Sequence, residues 1–236
     1  MKRFWERATA ARDGETYSIL LDGKPMRIPG GAVLRVANAA LADAIAAEWQ
    51  AAGSAVGGSM TPEDVPLTQL AGTAQDRIEP DPDATADALA KYAETDLLCY
   101  RAEHPAPLVA QQAREWQPWL DWLAQAHGAT LVPTAGIAHV AQPEAALAAI
   151  RDRLRLEPPP VLAALGVAIP ALGSVVLGLA LAEGELGPSR AYEIAALDEL
   201  FQVEQWGDDE WAAKRRRDVA DDIALAHRFL TLARAP

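Results

Sequence analysis

The segment VLAALGVAIPALGSVVLGLALA, Val161 to Ala182, contains no charged residue. A run of this length matches the roughly 20 apolar residues that a membrane-spanning helix needs. It equally suits the centre of a large helical domain, because a segment apolar on every side must be covered on every side. Its internal punctuation favours the second reading. Pro170 lacks a backbone donor and clashes with the preceding turn, and Gly166, Gly173, Ser174 and Gly178 interrupt a stretch dominated by alanine rather than leucine or phenylalanine. A buried hairpin of two short helices on either side of Pro170 is expected, with insertion as the alternative. A chain of 236 residues can bury such a hairpin without disulfides or a structural metal.

Charge narrows the classes further. A formal net charge of −12 repels polyphosphate, which argues against nucleic acid and anionic membrane surfaces as partners. The one basic run, Lys214 to Arg217, follows the acids Asp208 to Glu210, and opposite charges three or four positions apart on a helix neutralise each other. The single cysteine, Cys99, cannot pair within the chain, which suits a reducing compartment and a small buried side chain. The first fifteen residues lack the apolar core of a secretory signal, and acids interrupt any transit-like pattern, so no cleavable targeting segment is expected there.

The order of elements reads as α+β. Asp22-Gly23 between two extended runs signals a tight hairpin, Arg12 to Glu15 holds a second turn, and Ala32 to Val36 adds a further strand, giving a small antiparallel sheet. A helix capped by Asn38, with Leu41, Ile45 and Trp49 on one stripe, is placed to cover it. Residues 1–60 are therefore expected to form a small β domain with one covering helix. Residues 61–236 are expected to form a larger helical domain, with helices over Leu67 to Ile78, Ala84 to Tyr100, Ala106 to His127, Pro143 to Leu156, Ser189 to Trp206 and Asp208 to Ala233.

No pattern for catalysis, a cofactor or a metal stands out. The glycines lack phosphate-loop spacing, Gly173-Ser174 is not a nucleophile elbow, and the four histidines form no metal-binding pair. A Cys99–His104 nucleophile pair has no third orienting group. The segment DELFQVEQWGDDEW, Asp198 to Trp211, is denser in chemistry. On a continuous helical wheel Leu197, Leu200, Phe201 and Ile194 form an apolar arc, and Glu193 and Glu204 fall inside it. A carboxylate there needs a partner, either an internal arginine among Arg215 to Arg217 or a docked protein. Asp198, Glu199 and Gln205 read as solvated, and Asp208 or Asp209 can cap the next helix. Trp116, Trp119 and Trp122 recur every three positions, building either a core or a set of interface anchors.

Several stretches resemble, in order, the ATP-twelve family of assembly chaperones. They are RFW at Arg3, LDGKPMRIP at Leu21, AIAAEWQ at Ala44, PLTQLAGTAQDR at Pro66, YAETDLLCYRAEHP at Tyr92, WQPWLDW at Trp116, GSVVLGLAL at Gly173 and LDELFQVEQWGDD at Leu197. The resemblance runs from residue 3 to about residue 217. It departs at Gly72, where asparagine is expected, and at Gln75, where a small or apolar residue is usual. It implies a non-enzymatic chaperone, cytoplasmic in a bacterium, expected to be a monomer without cofactor. Its implied client is the free α subunit of the catalytic sector of F-type ATP synthase, held until a β subunit replaces it. Gln202, Glu204 and Trp206 are the positions it marks, Glu204 first. With Asp208, Trp116 and Trp119 they make up the expected partner-facing set. The alternative is a small-molecule enzyme with an acidic cleft between the two domains.

Overall fold

Asp22 and Gly23, with φ of 48° and 78°, make the tight turn that the Asp-Gly pair predicts. In this computed structural model, which describes residues 1–235, the turn joins β2 (Thr16–Leu21) to β3 (Lys24–Pro25). β1 (Ala8–Asp13) pairs antiparallel along the whole of β2, from Ala8 opposite Leu21 to Asp13 opposite Thr16. The opposite edge of β2 is shared by β3 and by β4 (Arg35–Val36). β4 is shorter than the run from Ala32 suggests. The turn at Pro29 to Gly31 folds the residues before it back on themselves, and the Leu34 N–H donates to the Met26 carbonyl at 3.1 Å.

Helix α1 (Ala39–Ala51) begins where Asn38 accepts the Leu41 N–H at 2.9 Å, and it buries Leu41, Ile45 and Trp49 at four-residue spacing. Trp5 stacks obliquely on Trp49, 4.9 Å between centroids, and donates its indole N–H to the Trp49 carbonyl. Beside them Arg3, only 4% exposed, donates to the carbonyls of Trp5, Glu6, Gln50 and Ala52. These bonds satisfy backbone acceptors ahead of β1 and at the end of α1. Helix α2 (Pro66–Thr73) runs into a wider π turn, Ala74–Ile78. Glu48 serves the start of α2, accepting from the Leu67 and Thr68 N–H groups. Burial raises the pKa of its carboxyl despite those bonds. Gln75 uses its whole amide on the strand side: it accepts the Arg35 N–H at 2.9 Å and donates to the Val33 carbonyl at 3.0 Å.

The helical part starts with α3 (Pro82–Ala90), which stops ten residues short of the end expected for it. Two 3-10 turns follow, Lys91–Thr95 and Leu97–Cys99, and the Asp96 side chain caps the second by accepting the Leu98 N–H. The two-residue strands β5 (Tyr100–Arg101) and β6 (Thr134–Ala135) pair in parallel, and between them lies α4 (Ala106–His127). Then come α5 (Glu144–Arg155), α6 (Pro159–Leu172), α7 (Val175–Glu183), α8 (Pro188–Ala195), α9 (Leu197–Trp206) and α10 (Glu210–Ala233).

The uncharged segment is indeed a buried pair of helices, but its hinge is not Pro170. That proline lies in the last turn of α6, where it disturbs little, and the break comes at Gly173, whose φ of 62° suits a residue without a Cβ. Ser174 then caps α7, accepting the Leu177 N–H at 3.1 Å. The second half of α6 lies hard against α7, since a Cβ on Gly178 would come within 2.4 Å of Ile169 Cγ1. Among the described residues no helix is long and apolar enough to cross a membrane. The α+β class is as expected, with an antiparallel sheet first and helices after it. Two compact units emerge: Met1–Asp81, Pro159–Ala164 and the described residues from Arg228 form one, and Pro82–Pro158 with Leu165–His227 the other.

Candidate partner-binding surface

The single helix expected from Ser189 to Trp206 is broken at Ala196, whose φ of −86° and ψ of 9° separate α8 from α9. A helical wheel drawn through that break loses its phase, so the apolar arc of α9 does not set the surroundings of Glu193. Glu193 is exposed on α8 and pairs with Arg190 at 3.1 Å. On α9 burial decays along the helix: Leu197 is buried, Leu200, Phe201 and Val203 are half-buried, and Gln202 and the last three residues are exposed. Glu204 keeps its place in the apolar arc but lies where that arc runs out into solvent. It makes no hydrogen bond or ion pair with the described residues. The internal bridge to Arg215, Arg216 or Arg217 is therefore corrected, because Arg215 pairs with Glu199 at 2.6 Å and Arg216 with Asp208.

The end of α9 and the start of α10 enclose a groove lined by Gln202, Val203, Trp206, Asp208, Trp211 and Arg215 among others. Gly207 ends α9, and Asp209 rather than Asp208 caps α10, accepting the Ala212 N–H at 2.9 Å. Trp206 is 79% exposed and Trp211 87% exposed. Residues two apart on a helix point about 200° from each other, so Glu204 faces away from Trp206, and it is not among the groove residues. The last turn of α9 is thus open on both sides, an indole on one and a carboxylate beside half-buried Leu200 and Phe201 on the other.

The α4 tryptophans divide. Trp116 is wholly buried, donates its indole N–H to the Ile194 carbonyl at 2.9 Å, and carries the Arg101 guanidinium 5.4 Å above its ring. It is a core residue, and its expected role as a partner-facing anchor is corrected. Trp119 and Trp122 are half-buried and meet edge to face at 6.2 Å, with neither in the groove. The expected set therefore does not form one cluster: Gln202, Trp206 and Asp208 share the groove, Glu204 opposes it, and Trp116 and Trp119 belong elsewhere.

Three polar side chains that support this region escaped the sequence reading. Gln112 is almost fully buried, accepting the Ala102 N–H and donating to Asp198 Oδ1, both at 2.7 Å. Asp198, read as solvated, is half-buried, and burial raises its pKa. Asp96 is wholly buried, and its carboxyl is pushed up to about 6 by desolvation, although bonds from Leu98, Ser174 and Val176 pull it down. A lone acid in the apolar setting of Leu97-Leu98-Cys99 was the available signal. Cys99 is buried and its thiol is pushed up to about 12, first by burial and then by the charge of Asp96. A thiol held so far from ionisation is no nucleophile. Among the described residues no group of three or more histidine, cysteine or acidic side chains is placed to hold a metal ion.

Comparison with known proteins gives one family. The model described as ATP12 chaperone protein matches residues 2–124. The mitochondrial protein atp12 of Schizosaccharomyces pombe is 26% identical over 218 residues, covering 87% of this chain and 74% of the yeast protein. The crystal structure of Atp12 from Paracoccus denitrificans superposes with a TM-score of 0.91 at 37% identity, over 99% of this chain and 98% of that one. An aspartate-to-lysine variant of the same bacterial protein superposes at 0.92 with 36% identity and the same coverage. An Agrobacterium tumefaciens protein described as a candidate chaperone gives 0.90 at 40% identity, over 98% of this chain and 85% of that one. With the family model covering more than half the chain and solved relatives matching nearly all of it, this chain belongs to the ATP12 chaperone family, whose work is assembly of the catalytic sector of ATP synthase.

Proposed function

We propose that this chain binds the free α subunit of the catalytic sector of F-type ATP synthase and keeps it from aggregating until β takes its place. The observation that carries the reading is the end of α9: two tryptophans largely open to solvent around Gly207, and on the opposite side of the same turn the carboxylate of Glu204, without a partner among the described residues. Exposed indoles surrounded by polar groups are the residue type that dominates protein interfaces. An orphan subunit presents an apolar surface that its neighbour normally covers. A protruding helix end with an apolar side and an acidic side can shield such a surface and receive one basic group from it. Release needs no nucleotide, because the tighter native neighbour displaces the chaperone by mass action.

The reading places the protein in the bacterial cytoplasm, as a monomer acting by binding rather than catalysis. The enzyme alternative gains no support from Cys99, which is buried and held protonated. Coexpression of α alone with and without this chain tests the proposal. Soluble α that copurifies with the chaperone supports it; α that precipitates equally in both cultures rejects it.

A further inference from the structure

All three methionines of the chain line one open groove of the first unit, about 930 Å³ in volume, together with Trp49, Val65 and Ile28. The backbone places them there. Met1 and Met60 exchange a pair of bonds, the amino group of Met1 donating to the Met60 carbonyl and the Met60 N–H to the Met1 carbonyl, both at 2.8 Å. The Met26 N–H donates to the Ile19 carbonyl, also at 2.8 Å. Met26 and Met60 are buried in the floor, while Met1 is 67% exposed at the lip. One wall is α2, where Gly72 faces Ile28 so closely that a Cβ would sit 3.3 Å from Ile28 Cγ2. Gly72 therefore lets α2 approach Ile28 with no side chain between them.

The lip is unusual in so acidic a molecule. Arg77 lines the groove, is exposed, and makes no hydrogen bond or ion pair with the described residues. Arg27 is also at the lip and donates to the Gly31 carbonyl. Among the described residues that line the groove the only carboxylate is that of Asp76, which lies against Gly30, where a Cβ would come within 2.9 Å of its Oδ2. Two cations against one anion leave the lip net positive on a chain of net charge −12.

Unbranched thioethers repack around varied apolar shapes, which is why methionine recurs on surfaces that hold peptides. The volume is near the upper end of small-ligand pockets, and the floor is apolar. That chemistry suits an extended chain segment better than a polar metabolite. We infer that the groove is a second client contact: it takes an extended apolar segment of the α subunit that carries a carboxylate, the apolar side chains resting on the methionines and the carboxylate meeting Arg77.

This inference rests on the chaperone reading above. The test uses the full chain and purified α subunit, with binding followed by titration and aggregation by light scattering on dilution of α. Arg77→Glu at the exposed lip is expected to weaken binding roughly tenfold with unchanged melting, whereas Arg77→Lys retains most of it. Gly72→Leu, checked by its melting curve, is expected to weaken binding similarly by narrowing the groove. If wild type holds α and folded Arg77→Glu and Gly72→Leu hold it equally well, the groove proposal is overturned and the chaperone reading stands. If wild type fails to keep α in solution, both fall.

Discussion

Ser174 Oγ lies 2.9 and 3.0 Å from the two carboxylate oxygens of Asp96, a residue 78 positions earlier in the chain. The same carboxylate accepts the N–H groups of Leu98 and Val176, so one buried acid serves both the 3-10 turn at Leu97–Cys99 and the first turn of α7. Asp96 is thus a joint of the second unit, its carboxyl pushed up by burial and pulled down by those bonds.

That burial makes stability depend on pH. The folded-state pKa of Asp96 is about 6, above its ordinary value of 3.8, so folding favours the protonated form. Its contribution is fully present below pH 3.8, declines as pH rises from there to 6, and is constant above. Asp96→Asn is expected to abolish that slope. It should also cost about 1–3 kcal/mol at pH 7, because an amide cannot accept from all the donors converging there. Urea unfolding of both proteins at a series of pH values measures the difference. Parallel curves between pH 4 and 6 would mean that Asp96 ionises normally in the fold.

Arg3 offers a contrasting case, a buried cation whose partners are backbone carbonyls. Arg3→Met keeps much of the apolar stem but leaves the carbonyls of Trp5, Gln50 and Ala52 without that donor. A loss of about 2–4 kcal/mol in unfolding free energy is expected from stranded buried acceptors. A shift of under about 0.5 kcal/mol, the range of ordinary surface changes, would contradict the role given to it.

Tryptophans of one chain should respond oppositely to replacement. Trp116→Phe removes the donor to the Ile194 carbonyl in the core and is expected to lower stability by about 1–3 kcal/mol. Trp206→Ala, at a largely solvent-exposed side chain, should leave stability within about 0.5 kcal/mol of wild type. The second variant, not the first, should lose hold of α while still melting like wild type. Chemical denaturation and pull-down of α together separate the two roles.

Glu204→Lys reverses an exposed charge that has no partner among the described residues. Melting is expected to remain cooperative at the wild-type temperature, and coexpressed α should move to the insoluble fraction. Cooperative melting with α still soluble would remove Glu204 from the contact surface. A drop in melting temperature would instead reveal an internal strut.

What could be read from the chain beforehand follows a physical division. Elements specified by local signals are found where expected: Asn38 caps α1, Asp22-Gly23 turns the hairpin, and α4 spans Ala106 to His127. Features set by distant neighbours were illegible. Ala196 carries no breaker signature, yet a helix ends there, and continuing the wheel across it joined Glu193 to an arc that belongs to α9, while Glu204 lies where that arc reaches solvent. Asp96 takes the Leu98 N–H and finds its other partners only at Ser174 and Val176, far along the chain. In the candidate surface the residue types were readable, while their division between groove, opposite face and core depended on packing.

Gln75 bears on the hazard of handling sticky chains. The outward N–H and carbonyl near the end of a short strand are the groups through which a stranger's extended segment could zip onto the sheet. By filling both places with its own amide, this glutamine acts as a decoy strand one residue long. On the proposed reading, a chaperone beside an unassembled subunit thereby keeps this part of its own border out of the client's tangle.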